Sequence, residues 1–200
     1  MIDLRDKKIL VTGSAGFLGT HVVQKLKSRG VPEKSILTPY SSDFDLRLFK
    51  DCEAVVRGQN IVIHLAGVTG GIEFHKINPG KVFYENLIMG AQLMEVARET
   101  NIEKMVVIGS VAEYPDHAQP PFKEEDLWGG LPEKTHIPYA LAKKALLIQG
   151  EAYKEQYGFN SIHLLMTNIY GPHDNTARGY VIPMLIQRIL EAKKRGEQTF

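Results

Sequence analysis

Three glycines spaced three apart, Gly13, Gly16 and Gly19, lie between an apolar run, Ile9-Leu10-Val11, and a stretch with helical spacing through Leu18, Val22 and Leu26. Few folds put such a loop between a buried strand and a helix. The first glycine permits the tight turn, the second lets backbone N–H groups approach a diphosphate, and the third brings the helix close against the strand. The helix N-terminus adds free N–H groups and partial positive charge. Glycines at this spacing also occur in ordinary turns. Their place in a strand–loop–helix unit near the N-terminus is what marks a dinucleotide loop, with Gly13, Ser14, Gly16, Phe17, Leu18 and Gly19 as its contacts.

The rest of the chain alternates in the same way. Short apolar runs over 35–38, 61–65, 104–109 and 161–166 read as strands, and the periodic stretches 17–29, 46–57, 79–99, 139–157 and 181–195 read as helices. The stretch 110–137, rich in proline and glycine, reads as loop. This alternation predicts an α/β fold, a Rossmann-type doubly wound parallel sheet with both faces covered. A flavodoxin-like sandwich shares the alternation, and the glycine pattern speaks against it. With 24 basic and 23 acidic residues in 200, the net charge of +1 gives no general attraction for nucleic acid or membrane. The single cysteine, Cys52, excludes a disulfide framework and a zinc site built on several thiolates. The N-terminus carries neither a signal-like nor a membrane-spanning run, so the cytoplasm is the expected location.

Tyr139 and Lys143, four residues apart at the start of a predicted helix, share one helix face. A lysine cation beside a phenol lowers its pKa, which suits a tyrosine that gives or takes the proton of a carbonyl or hydroxyl as hydride moves. Ser110 follows the 104–109 strand at the carboxyl edge, where parallel sheets place ligands, and its hydroxyl can polarise the same oxygen. Ser110, Tyr139 and Lys143 are the expected catalytic residues. His173-Asp174 in a Gly-Pro loop reads as a turn, not a metal site.

In this order, the motifs resemble the extended short-chain dehydrogenase/reductases, the NAD-dependent epimerase/dehydratase family, and within it the GDP-L-fucose synthase branch. The supporting segments are Thr69-Gly70-Gly71-Ile72, Ser110-Val111-Ala112-Glu113-Tyr114-Pro115, Pro138-Tyr139-Ala140-Leu141-Ala142-Lys143, and Thr167-Asn168-Ile169-Tyr170-Gly171-Pro172-His173-Asp174-Asn175. The resemblance implies cofactor contacts at Asp45 and Leu46, at Leu65, Ala66 and Gly67, at Asn86, and at Tyr139 and Lys143. It implies substrate contacts at Asn168 and, on the nucleotide pyrophosphate, at Arg188, and it suggests a homodimer. It further implies an oxidoreductase of nucleotide sugars, acting on a GDP-4-keto-6-deoxyhexose. The branch epimerises with a cysteine and a histidine. Ala112 and Tyr180 stand at those positions, so reduction is expected without the double epimerisation.

For the cofactor, the second strand ends in Thr38-Pro39-Tyr40-Ser41-Ser42. No carboxylate stands there to repel a 2′-phosphate, which favours NADP and leaves NAD open. Residues 1–175 are expected to form the cofactor domain and 176–200 the start of a substrate region cut short, since family members run to roughly 300 residues. Two other functions remain open at this point: a UDP-hexose-type 4-epimerase with bound NAD, and a non-catalytic dinucleotide-binding protein.

Overall fold

The computed structural model of the protein describes residues 3–174, 176 and 179–196. Five strands form one parallel sheet: β1 (Ile9–Thr12), β2 (Ile36–Leu37), β3 (Ile61–His64), β4 (Lys104–Ser110) and β5 (Ser161–Met166). Their order is β2-β1-β3-β4-β5. The chain starts in β1, steps to β2 on one side, and then grows through β3 on the other. Loops leaving the carboxyl ends of β1 and β3 therefore diverge, and a crevice opens between them. The doubly wound parallel sheet expected from the sequence is present. Among the described residues it has five strands, not the six of a full Rossmann order, because the chain after β2 turns at Tyr40–Phe44 and Asp45–Leu48 instead of extending.

Six helices accompany the sheet: α1 (Phe17–Ser28), α2 (Phe49–Val56), α3 (Ile72–Ile77), α4 (Pro79–Glu99), α5 (Ile137–Tyr157) and α6 (Val181–Arg195). One face of the sheet packs on α2, α4 and α5 through Leu10, Val62, Leu93, Met94, Met105, Val107 and Leu146. On the other face, Ile9, Val11 and Ile61 meet Leu26 of α1 and Val31 beyond it. Residues one apart on β1 thus point to opposite faces, as the pleat requires, and both faces are apolar because both are covered.

Two elements differ from the sequence reading. The helix expected from residue 46 begins at Phe49, because Leu48 stays extended and Asp45–Leu48 closes a turn. Helix α3 has no counterpart among the expected elements. The segment 110–137 is loop with two 3-10 turns, Val111–Glu113 and Glu124–Trp128. It is fastened to α5 by Lys144, whose buried Nζ donates to the Leu127 carbonyl at 2.6 Å and lies 5.3 Å from the centre of the Trp128 ring.

Candidate active site

A cleft of about 1570 Å³ runs along the carboxyl edge of the sheet. It exceeds the roughly 300–1,000 Å³ of a drug-sized pocket, so an extended ligand fits it better than a compact one. Its floor at the β1 end is the glycine loop. Gly13 has φ +69, and a Cβ there would stand 2.7 Å from the Ala66 N. At Gly19 a Cβ would lie 2.2 Å from the Gly13 carbonyl oxygen. The loop therefore folds flat against both the β3 end and its own helix, as the spacing predicts. Helix α1 starts at Phe17 with Gly16 as its N-cap and no capping side chain. Its first-turn N–H groups lack intrahelical acceptors, and Phe17, Leu18 and Gly19, which carry them, line the cleft.

The β3 end is built around Thr12. Its Oγ1 accepts from the Ala66 N–H at 3.2 Å and meets His64 Nδ1 at 2.9 Å. Burial, and then the charge of Lys143, pull the His64 imidazolium down to about 3, so the ring is neutral and shares one hydrogen bond with the threonine hydroxyl. Leu65, Ala66 and Gly67 line the cleft beyond it, as do Asp45 and Leu46 at the far end. The Asp45 carboxylate is engaged by Arg47, at 2.7 Å from its Nη2, and this guanidinium holds its pKa below the ordinary value. Arg47 also reaches Glu85 at 2.8 Å.

Asn86, the cofactor contact expected in α4, stands behind the cleft wall at Gly67 and Val68. It is buried in α4, its Oδ1 accepts from the Val68 N–H at 3.0 Å, and its Nδ2 donates to the carbonyls of Val68 and Val82 at 2.8 and 2.7 Å. Both amide protons are spent on backbone, so the side chain fixes the loop after Gly67. Arg188, expected on a pyrophosphate, is exposed on α6 and outside the cleft, whose wall from that helix ends at Pro183. Asn168 lines the cleft.

Ser110, at the β4 end, and Tyr139 and Lys143, in the first turns of α5, all line this cleft. The Ser110 Oγ accepts from the Ala112 N–H at 3.1 Å, which fills one lone pair and leaves its own proton to donate into the cleft. Lys143 is buried, takes no hydrogen-bond acceptor among the described residues, and has its Nζ 5.9 Å from the centre of the Tyr139 ring. Burial draws its ammonium down to about 8, against an opposing pull from Glu113. The expected acidic phenol is not found. Burial pushes the Tyr139 pKa up, and the fields of Tyr180 and Glu113 push it the same way. Desolvation penalises phenolate more than this lysine, itself desolvated, relieves it.

The sequence reading missed the other side of the cleft. On α3, His75 is buried edge-on to Tyr139, with ring centres 5.5 Å apart, and 4.9 Å from His136. Its Nε2 lies 3.3 Å from Thr69 Oγ1, which is 3.4 Å from the Tyr180 hydroxyl. Burial, and then His136, lower the His75 pKa, so this ring too favours its neutral form. Ala112 and Tyr180 both line the cleft, one offering a methyl group and the other a phenol.

With this geometry in view, comparison with known proteins is informative. Residues 9–199 match the NAD-dependent epimerase/dehydratase family. The chain is 34% identical over 194 residues to a GDP-L-fucose synthase of Sinorhizobium fredii, covering 95% of this chain and 61% of that protein. To the GDP-L-fucose synthase of Escherichia coli it is 32% identical over 189 residues, covering 93% and 59%. A solved GDP-mannoheptose C4 reductase from Campylobacter jejuni with NADP bound superposes with a TM-score of 0.88 at 28% identity, over 96% of this chain and 60% of that one. The chain thus spans about 60% of the length of the proteins it matches.

Proposed function

Since the chain belongs to the NAD-dependent epimerase/dehydratase family, we propose that it forms the cofactor-binding part of an NADP-dependent reductase of GDP-linked 4-keto-6-deoxyhexoses. The observation that carries this reading is that Ser110, Tyr139 and Lys143 line one cleft together with the glycine loop and the N-terminus of α1. The GDP-sugar names of the relatives, and the NADP in the C. jejuni structure, support the substrate class and the cofactor.

The residues present fit a nicotinamide dinucleotide. The bare first turn of α1 suits its diphosphate. Lys143, a buried ammonium with no acceptor among the described residues, suits the hydroxyls of a ribose. Leu65, Ala66 and Gly67 form a backbone wall beside it, and Asp45 and Leu46 close the far end. Bound there, such a cofactor supplies the hydride that reduces a carbonyl carbon.

The protein contributes the proton. Tyr139, kept neutral by burial, donates its phenolic hydrogen to the carbonyl oxygen as negative charge develops on it. Ser110 donates a second hydrogen bond to the same oxygen and stabilises that charge. Lys143 places a cation nearby, which favours the phenolate that Tyr139 leaves behind. A protonated phenol is the form needed for reduction, and Tyr139 is in that form at neutral pH. Ala112 cannot move a proton, and Tyr180 offers a phenol where an epimerising site needs an imidazole, so the ring carbons keep their configuration through the reaction. Asn168, beside this wall, contacts the sugar.

The test is thermal unfolding with NADP, NAD, GDP-sugars and UDP-sugars. A ligand at a hundred times its Kd adds about 2.7 kcal/mol of stability. NADP is expected to raise the melting temperature most. A rise with NAD alone, or with UDP-sugars and not GDP-sugars, would favour an epimerase of UDP-hexoses instead.

A further inference from the structure

We propose that His75 is a positioning residue: through the Thr69 hydroxyl it presents the phenol of Tyr180 to the sugar part of the ligand. The proposal rests on the cleft being the site of a nucleotide sugar, and it gives a role to three side chains that the proton transfer above does not use.

Three segments far apart in sequence bring this trio together. The loop after β3 carries Thr69, α3 carries His75, and the chain entering α6 carries Tyr180. The loop lies close on α3: a Cβ at Gly70 would stand 2.8 Å from the Phe74 side chain. His75 is 3% exposed. Its ring is edge-on to Tyr139, with centres 5.5 Å apart, and edge-on to Phe74 at 6.1 Å. Rings on two sides fix the plane of the imidazole. Its Nε2 is thereby held 3.3 Å from Thr69 Oγ1, and that oxygen is 3.4 Å from the Tyr180 hydroxyl. A threonine hydroxyl has one proton and two lone pairs, so it serves both partners at once.

Space-filling beside Tyr139 needs no imidazole. Burying one takes ring nitrogens out of water, which is costly unless they are hydrogen-bonded. Thr69 answers that cost and passes the constraint on to Tyr180. The phenol is partly buried and lines the same cleft as Ser110, Tyr139 and Asn168. Among the described residues its hydroxyl meets Thr69 alone. A phenol both donates and accepts, so one bond to Thr69 leaves it capacity for a ligand. The 3.4 Å contact is also longer than the roughly 2.7–2.8 Å of a close O–H···O bond, so a ligand oxygen competes for the phenol at little cost. A sugar, whose hydroxyls give and take hydrogen bonds, is the part of a nucleotide sugar that such a group suits. A diphosphate only accepts, and draws cations and backbone N–H groups instead.

Two measurements on the whole 200-residue chain test this. Without ligand, the 13Cζ NMR signal of Tyr180 is assigned through Tyr180→Phe. His75→Phe keeps an aromatic ring but cannot bond Thr69, and is expected to move that signal as Thr69→Val does. His75→Gln, whose amide still reaches Thr69, is expected to keep it near its native position. A signal that His75→Phe leaves in place would overturn the proposal, and if that variant does not fold, one that Thr69→Val leaves in place would do the same. The second measurement is calorimetric titration with GDP-mannose in the presence of NADP, with GDP as the reference that lacks the sugar. His75→Phe, Thr69→Val and Tyr180→Phe should each bind GDP-mannose about 5–10-fold more weakly, the loss of one hydrogen bond, and GDP within twofold of native. Adding Thr69→Val to Tyr180→Phe should cost less than a further twofold, because the groups act as a unit. Native affinity in His75→Phe with a loss in His75→Gln would mark a ring that only fills space, and would overturn the proposal. So would an unaltered chain that binds NADP but no GDP-mannose, whereas one that binds neither would overturn the proposed function itself.

Discussion

Lys143 makes stability and ligand affinity respond to pH in opposite senses. Its folded pKa, about 8, lies below the ordinary lysine value of 10.5, so between those limits the unfolded chain binds more protons than the folded one. Stability from this group therefore rises as pH increases from 8. Cys52, raised to about 12 by burial, works the other way above pH 9. Comparing the protein with Lys143→Met isolates the lysine: the native chain should gain stability relative to the variant from pH 8 to 10 in urea unfolding. NADP affinity, which needs the ammonium, should weaken over the same interval. Tyr139→Phe is expected to lower turnover of a GDP-4-keto-6-deoxyhexose roughly 10²–10⁴-fold while leaving NADP affinity near native, as removal of a general acid does. Gly19→Ala forces a methyl group onto the Gly13 carbonyl and should cost roughly 1–3 kcal/mol, read from the same urea curves. At this scale the sequence exposed groups tied together by short spacing, such as Tyr139 with Lys143 and the three glycines. It did not expose Glu113 with His163, because that pair spans 50 residues and meets only once β4 and β5 lie side by side. The direction of the Tyr139 shift was equally hidden, since burial decides it and burial is a property of the folded wall.

Among the elements, α4 illustrates what periodicity shows and what it does not. Its span, Pro79–Glu99, is readable from apolar spacing and the proline at its first position. The job of its Asn86 is not. A buried amide with three backbone partners clamps the loop after β3, and Asn86→Ala should cost roughly 1–3 kcal/mol. Because that loop is a wall of the cleft, the variant should also bind NADP more weakly. A side chain that bonded only to the ligand would, on removal, leave the melting temperature of the free protein unchanged. Calorimetric melting without ligand separates the two. Helix α3 escaped notice for a simpler reason. Six residues hold less than two turns, too short for an apolar period to register, yet they carry His75 to the edge of the Tyr139 ring. Strand β2, expected over 35–38, is present there and reduced to Ile36 and Leu37.

On the scale of the whole molecule, several large apolar side chains of α4 and α5 remain on the surface: Phe83 at 40%, Tyr84 at 59%, Leu141 at 37% and Ile148 at 52% exposure. We propose that these helices meet their copies in a homodimer, and sedimentation velocity should then give twice the chain mass, falling to one when Tyr84 and Ile148 are both changed to Glu. The order of strands was only half legible in advance. Alternation of strands and helices implied a parallel sheet, while the absence of a strand between β2 and α2 depended on how Asp45–Leu48 turns.

The anchoring of residues 124–128 on α5 has a practical consequence. The chain contains one tryptophan, and it is the one whose ring lies beside the Lys144 ammonium, next in sequence to Lys143. Its tryptophan emission therefore originates at a single known place, a half-exposed indole leaning on the same helix that carries Tyr139. Any change in its colour or brightness during a titration reports on that strap and that helix, without a dye or a label having to be introduced.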